Sequence, residues 1–168
     1  MQHLLHRFTL SLRRFARDPS GAQLVEFALV LPLMLLIFAV IIEGGRMMWS
    51  YQTVVSGVRD ASRFLARVTD RNICDTPTAV TIFDATLAAF VRTSNDGSAI
   101  FPSGVTVTEV TSTLECFTGA YRSGEAPVVT VEADVQITFP FAGFFTLVGG
   151  SRPTLETSVS DQSRVYGS

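Results

Sequence analysis

The sequence predicts an α+β protein on a membrane anchor. Three observations carry this: an apolar run near the N-terminus, an apolar stripe at helical spacing directly after it, and a two-residue period in the C-terminal half. Together they predict a long N-terminal transmembrane helix continuing into an amphipathic helix. A small α+β domain follows, with an antiparallel sheet of about three strands. The segments are 1–21, a basic leader; 22–69, the helix and its extension; and 70–168, the outer domain.

The chain has 168 residues, enough for one domain and an anchor, and a mean hydropathy of +0.34. Its charge is unevenly placed. The leader holds Arg7, Arg13, Arg14 and Arg17 against Asp18, whereas the remainder has nine arginines against fourteen acids. There is no lysine, and no basic run outside the leader, so nucleic-acid binding has no electrostatic footprint. Residues 3–17 form an arginine-bearing amphipathic stretch, and Asp18-Pro19-Ser20-Gly21 breaks any helix there.

From Ala22 to Ile42 only Gln23 and Glu26 interrupt the apolar character. A helix of this length spans about 30 Å, the hydrocarbon thickness of a bilayer. Pro32 inside it predicts a slight bend. Four arginines upstream, against Glu43 and Arg46 downstream, predict a cytoplasmic N-terminus and a C-terminal domain on the far side. The run is longer than a signal-peptide core, and Ile42-Glu43-Gly44-Gly45 is a poor signal-peptidase site.

Beyond the membrane, Met47, Tyr51, Val54, Val58, Ala61, Leu65 and Val68 recur at steps of four and three, which places them on one stripe. The stripe packs either on the protein's own domain or on a neighbouring subunit's helix. Gly44-Gly45 is a hinge or a point of close helix contact. A second helix is predicted from Thr78 to Arg92, with Val80, Phe83, Leu87, Phe90 and Val91 on one face and a turn at Asn95-Asp96-Gly97. Val105, Val107 and Glu109 then alternate with threonines. Val129 to Phe139 alternates more cleanly, and Leu155, Thr157 and Val159 mark a third strand within Thr154–Val165. Cys116 to Pro127 reads as a polar loop, and Phe141 to Gly150 as an aromatic, glycine-rich insert.

Cys74 and Cys116 are the only cysteines; they form one disulfide on an oxidising side of the membrane, or stay as two reduced core residues. No metal site or cofactor is expected, and no enzyme. His3 and His6 lie in the leader, away from the acids of the outer domain, and phosphate-binding loops, metalloprotease helices and nucleophile elbows are missing from the sequence. Glu132 and Asp134 share the polar face of one strand, which reads as solvated. Glu26 is the exception, an acid about one turn into an apolar segment. At the centre of a spanning helix it costs about 3 kcal/mol. It either sits at headgroup depth or has a partner.

Residues Ser20 to Leu33, with the sequence SGAQLVEFALVLPL, together with Ile42-Glu43-Gly44-Gly45-Arg46 and Ala61-Ser62-Arg63, resemble the TadE-like minor pseudopilins of tight-adherence (Flp) pili. These belong to the type IV pilus superfamily. The resemblance covers roughly residues 17–67 and departs at Gly45 and Met48. It implies cleavage by a prepilin peptidase between Gly21 and Ala22, with Glu26 and Phe27 following at the family's spacing. It further implies that Glu26 pairs with a free α-amine, usually a neighbour's. The implied protein is a structural component of pilus assembly in the bacterial inner membrane, N-terminus cytoplasmic and outer domain periplasmic, with entry into a surface pilus. Its partners would be the prepilin peptidase, minor and major pilins and the assembly platform, with no nucleic acid and no small-molecule substrate. Adhesion and biofilm formation are consequences the family implies. The competing reading is a periplasmic binding module on an uncleaved signal anchor.

Overall fold

The helical pattern that begins at the leader's end becomes one continuous helix, α1, from Pro19 to Val68 in a computed structural model. The structure describes residues 19–76, 78–94, 96–120, 124–139, 143 and 154–167. The leader before Pro19, Asn95, and the aromatic insert apart from Gly143 lie outside the described residues. The expected break at Pro19-Ser20-Gly21 is corrected: these residues form the first turn of α1. Proline is well suited to that position, because its fixed φ is already helical and its missing N–H has no partner there in any case. Pro32 lies inside the helix without ending it.

The chain divides into two compact units, Met1–Ile42 and Glu43–Ser168. In the second unit, α1 residues 43–68 are followed by a 3-10 turn at Val80–Phe83 and by helix α2, Asp84–Arg92. Three strands complete it: β1, Val105–Phe117; β2, Ala126–Thr138; and β3, Thr154–Arg164. They form one antiparallel sheet in the order β1-β2-β3, as the alternating sequence predicts. Val110 pairs with Ala133, and Ala133 with Val159, so one face carries the apolar residues of all three strands.

That face meets the helices. Val54, Val58, Ala61 and Leu65 of α1 and Leu87 and Val91 of α2 are fully buried in one core with Val129, Val131 and Ala133. The helices approach each other closely at Gly57, where an added Cβ would lie 3.0 Å from the Val91 Cα. A side chain here would require α2 to give way by a few tenths of an ångström, which glycine avoids. At the end of α1, where carbonyls lose their helical partners, the Tyr166 amide donates to the Ala66 carbonyl at 3.0 Å. The C-terminal tail thereby caps the helix.

Three expectations are corrected. Phe90 is exposed and stacks on Phe64 with ring centroids 4.9 Å apart. A β-bulge between Val107 and Glu109 shifts the alternation, so Glu109 faces outward while Val110 and Ser112 face inward. The Cys116–Pro127 loop shortens because Cys116 pairs with Pro127 and Phe117 with Ala126 across the ladder.

Candidate functional site

The sequence gives α1 two kinds of surface. Between Leu24 and Ile41 fourteen large apolar side chains are exposed, from Leu31 at 37% to Leu29 at 74%. Each such side chain gains about 1.5–3 kcal/mol on leaving water, so together they represent tens of kcal/mol of unmet burial. This segment, with a mean hydropathy of 2.8 over its most apolar window, belongs to the only helix among the described residues long and apolar enough to cross a membrane. The exposed apolar character extends past the break at Glu43-Gly44-Gly45-Arg46 to Met48 and Trp49. Tryptophan is enriched at the membrane–water boundary.

Gly21 and Ala22 occupy the first turn of α1, Glu26 ends the second and Phe27 opens the third. Ala22 and Glu26 are four residues apart and therefore on one face of the helix. Both are exposed, as is Phe27, which is 57% accessible. The Gly21–Ala22 peptide bond is helical here, so a protease that binds extended backbone must fray this first turn. The turn is suited to fraying, since its N–H groups have no intrahelical acceptors.

The stripe on residues 43–68 is a different surface. Val54, Val58, Ala61 and Leu65 are fully buried in their own domain, and Met47 packs against the same core. Of the two surfaces open to this stripe, its centre therefore meets the protein's own sheet. Tyr51 and Val68, at 40% and 38% exposed, mark its ends. Ser62, also fully buried, places its Oγ 2.5 Å from Asp161 Oδ2, a hydrogen bond that pins β3 to α1. Nothing in the sequence signals this contact, because a serine between Ala61 and Arg63 reads as a surface residue.

Cys74 and Cys116 are joined by a disulfide, with Cα atoms 5.9 Å apart. It links the turn after α1 to the end of β1. Closing 42 residues of chain corresponds to about 4 kcal/mol in the chain-entropy account. The Glu125 carboxylate comes within 4.8 Å of both sulfurs. Because the sulfurs are bonded to each other, neither is a thiolate available to a metal ion.

On the outer face of the sheet a groove of about 390 Å³ is lined by Thr108, Asp134, Val135, Gln136, Glu156, Thr157 and Ser158. A second, of about 360 Å³, lies between Tyr51, Val55 and Arg59 of α1 and residues 158–161 of β3. Both are open; the first is mixed in character and the second mainly polar. No curated protein and no solved structure matches the chain. Residues 21–63, from the first turn of α1 through most of its buried stripe, match the family model described as TadE-like protein, so this part of the chain is similar to that family, in agreement with its sequence resemblance.

Proposed function

We propose that this chain is a minor pseudopilin of a tight-adherence pilus system, cleaved by a prepilin peptidase after Gly21. The match from residue 21 to 63 supports association with such a system. The observation that carries the finer reading is Glu26: a carboxylate on a helix whose neighbouring side chains are apolar and exposed. Cleavage would remove the basic leader and leave a charged α-amine on Ala22. That amine, on this chain or a neighbour, is the counter-ion a carboxylate in an apolar bundle requires. Orphaned, such a buried charge is strongly destabilising. Maturation and assembly are thereby coupled, since the uncleaved chain has no amine at this position.

In this reading the helix packs among major and minor pilins and meets the assembly platform. The domain of Glu43–Ser168 stands in the periplasm, where an oxidising compartment suits a Cys74–Cys116 disulfide. The role is structural rather than enzymatic, with no cofactor. About a hundred residues follow the helix, whereas major Flp pilins are little more than helix, so the chain is a minor component contributing to adhesion and biofilm formation.

The test is to express the chain with and without a prepilin peptidase and sequence the N-terminus of the membrane-bound product. The expected result is Ala22 as the first residue only with the peptidase, and loss of processing in Gly21→Ala. A chain that starts at Met1 under both conditions would instead support the uncleaved binding module.

A further inference from the structure

The domain formed by Glu43–Ser168 carries opposite charge on its two outer surfaces. At 3.6 residues per turn, Arg63 lies on the side of α1 opposite the buried Val54–Leu65 stripe, with Arg59 and Arg67 about one turn to either side. All three are exposed; Asp60 lies among them, Asp70 follows three residues after Arg67, and Asp161 lines the groove beside Arg59. The open face of the sheet presents Glu109, Glu115, Glu132, Asp134 and Glu156, all exposed, and among the described residues the single cation on it is Arg164 near one end. Glu109 stands directly opposite Asp134 across the β1–β2 ladder, an unfavourable pair in isolation. Among the described residues, neither the three arginines nor Glu109, Glu132 and Asp134 form an ion pair.

The two patterns are commensurate. Arginines four residues apart on a helix repeat every ~6 Å, and outward residues two apart on a strand every ~7 Å. Because the helix layer covers one face of the sheet, the basic and acidic surfaces lie on opposite sides of the same domain.

We propose that the basic outer face of α1 docks on the acidic open sheet face of a second copy of this chain. Each copy carries both halves of the contact. The two halves differ, so the contact is heterologous and propagates from copy to copy rather than closing as a two-fold dimer. Arg63 sits at its centre, facing Glu132 and Asp134 of the next copy. The proposal rests on surfaces of residues 43–168 alone and stands whether or not the chain is cleaved after Gly21.

The chain has no lysine, so Arg63→Lys supplies its one side-chain amine. Carbodiimide treatment joins an amine to a carboxylate only when they touch. It is applied to the full-length chain in detergent micelles at low salt, with the parent chain as the background from its α-amine. The expected result is a ladder of covalent multimers from Arg63→Lys, with position 63 linked to Glu132 or Asp134 of another copy. The yield falls about tenfold at 0.5 M salt, where screening shortens the reach of exposed charges to a few ångströms. A second experiment follows association by light scattering in Arg63→Glu/Arg67→Glu and in Glu132→Arg/Asp134→Arg. Each variant alone loses association and the mixture regains it, which also shows that both fold. Absence of multimers, linkage confined to one chain or to other carboxylates, or reversed variants that associate as the parent does would each overturn the proposal.

Discussion

Gly57 is a residue whose side chain is absent for a physical reason. With a Cβ already 3.0 Å from the Val91 Cα, any larger group must push α1 and α2 apart. Gly57→Val is expected to destabilise the domain by about 1–3 kcal/mol, read by denaturant unfolding of the detergent-solubilised chain. Ser50 presents the opposite case: it is fully buried, and its Oγ finds no hydrogen-bond partner among the described residues. Ser50→Ala is expected to leave stability unchanged or raise it by about 1 kcal/mol in the same assay. Asp96 is held by the Ser98 hydroxyl and amide and by the Ser94 hydroxyl, which lower its pKa to about 2. A carboxyl more acidic folded than unfolded stabilises the turn above the unfolded pKa near 3.8, and this stabilisation disappears as pH falls through about 2. A carbon-detected NMR titration should place Asp96 at the acid end of the carboxylates, and Ser98→Ala should move it upward.

At the scale of elements, the features legible in the sequence are those whose period is uninterrupted. The four-and-three spacing from Met47 to Leu65 is a property of the chain, and β2 alternates without a fault from Val129 to Ile137. The bulge after Val107 was illegible because one extra residue resets a period of two, and no residue type at this point marks the insertion. The close approach at Gly57 and the Ser62–Asp161 bond are tertiary events, and nothing near either residue in the sequence announces them. The stripe itself left its partner open, since the same apolar row suits a sheet or another helix; burial of Val54 and Val58 in the domain core resolves it. The two surfaces of α1 therefore respond differently to truncation. Leu65→Ala is expected to cost the domain about 2–5 kcal/mol by leaving a cavity. Phe27→Ala, on the exposed apolar segment, should leave its unfolding unchanged. The cysteine link belongs to this scale as well, because it holds the turn after α1 against the end of β1. Replacing both cysteines by serine is expected to lower stability by up to about 4 kcal/mol, with thermal unfolding as the readout.

For the whole molecule, the decisive contrast lies between its two units. Glu43–Ser168 has buried its apolar stripe and its sheet face in one core. The helix between Leu24 and Ile41 has buried almost nothing and requires lipid or other helices around it. Only within such surroundings does Glu26 acquire its meaning, because an acid surrounded by water needs no counter-ion. The most direct measurement is therefore the fate of Glu26→Gln in cells carrying the complete pilus system, followed by both N-terminal sequence and recovery in sheared pilus material. The account predicts a chain that is still cut before Ala22 and still held in the membrane, yet at least tenfold depleted from pili relative to the parent. Recovery in pili equal to that of the parent would show that the carboxylate has no assembly partner, and would contradict it.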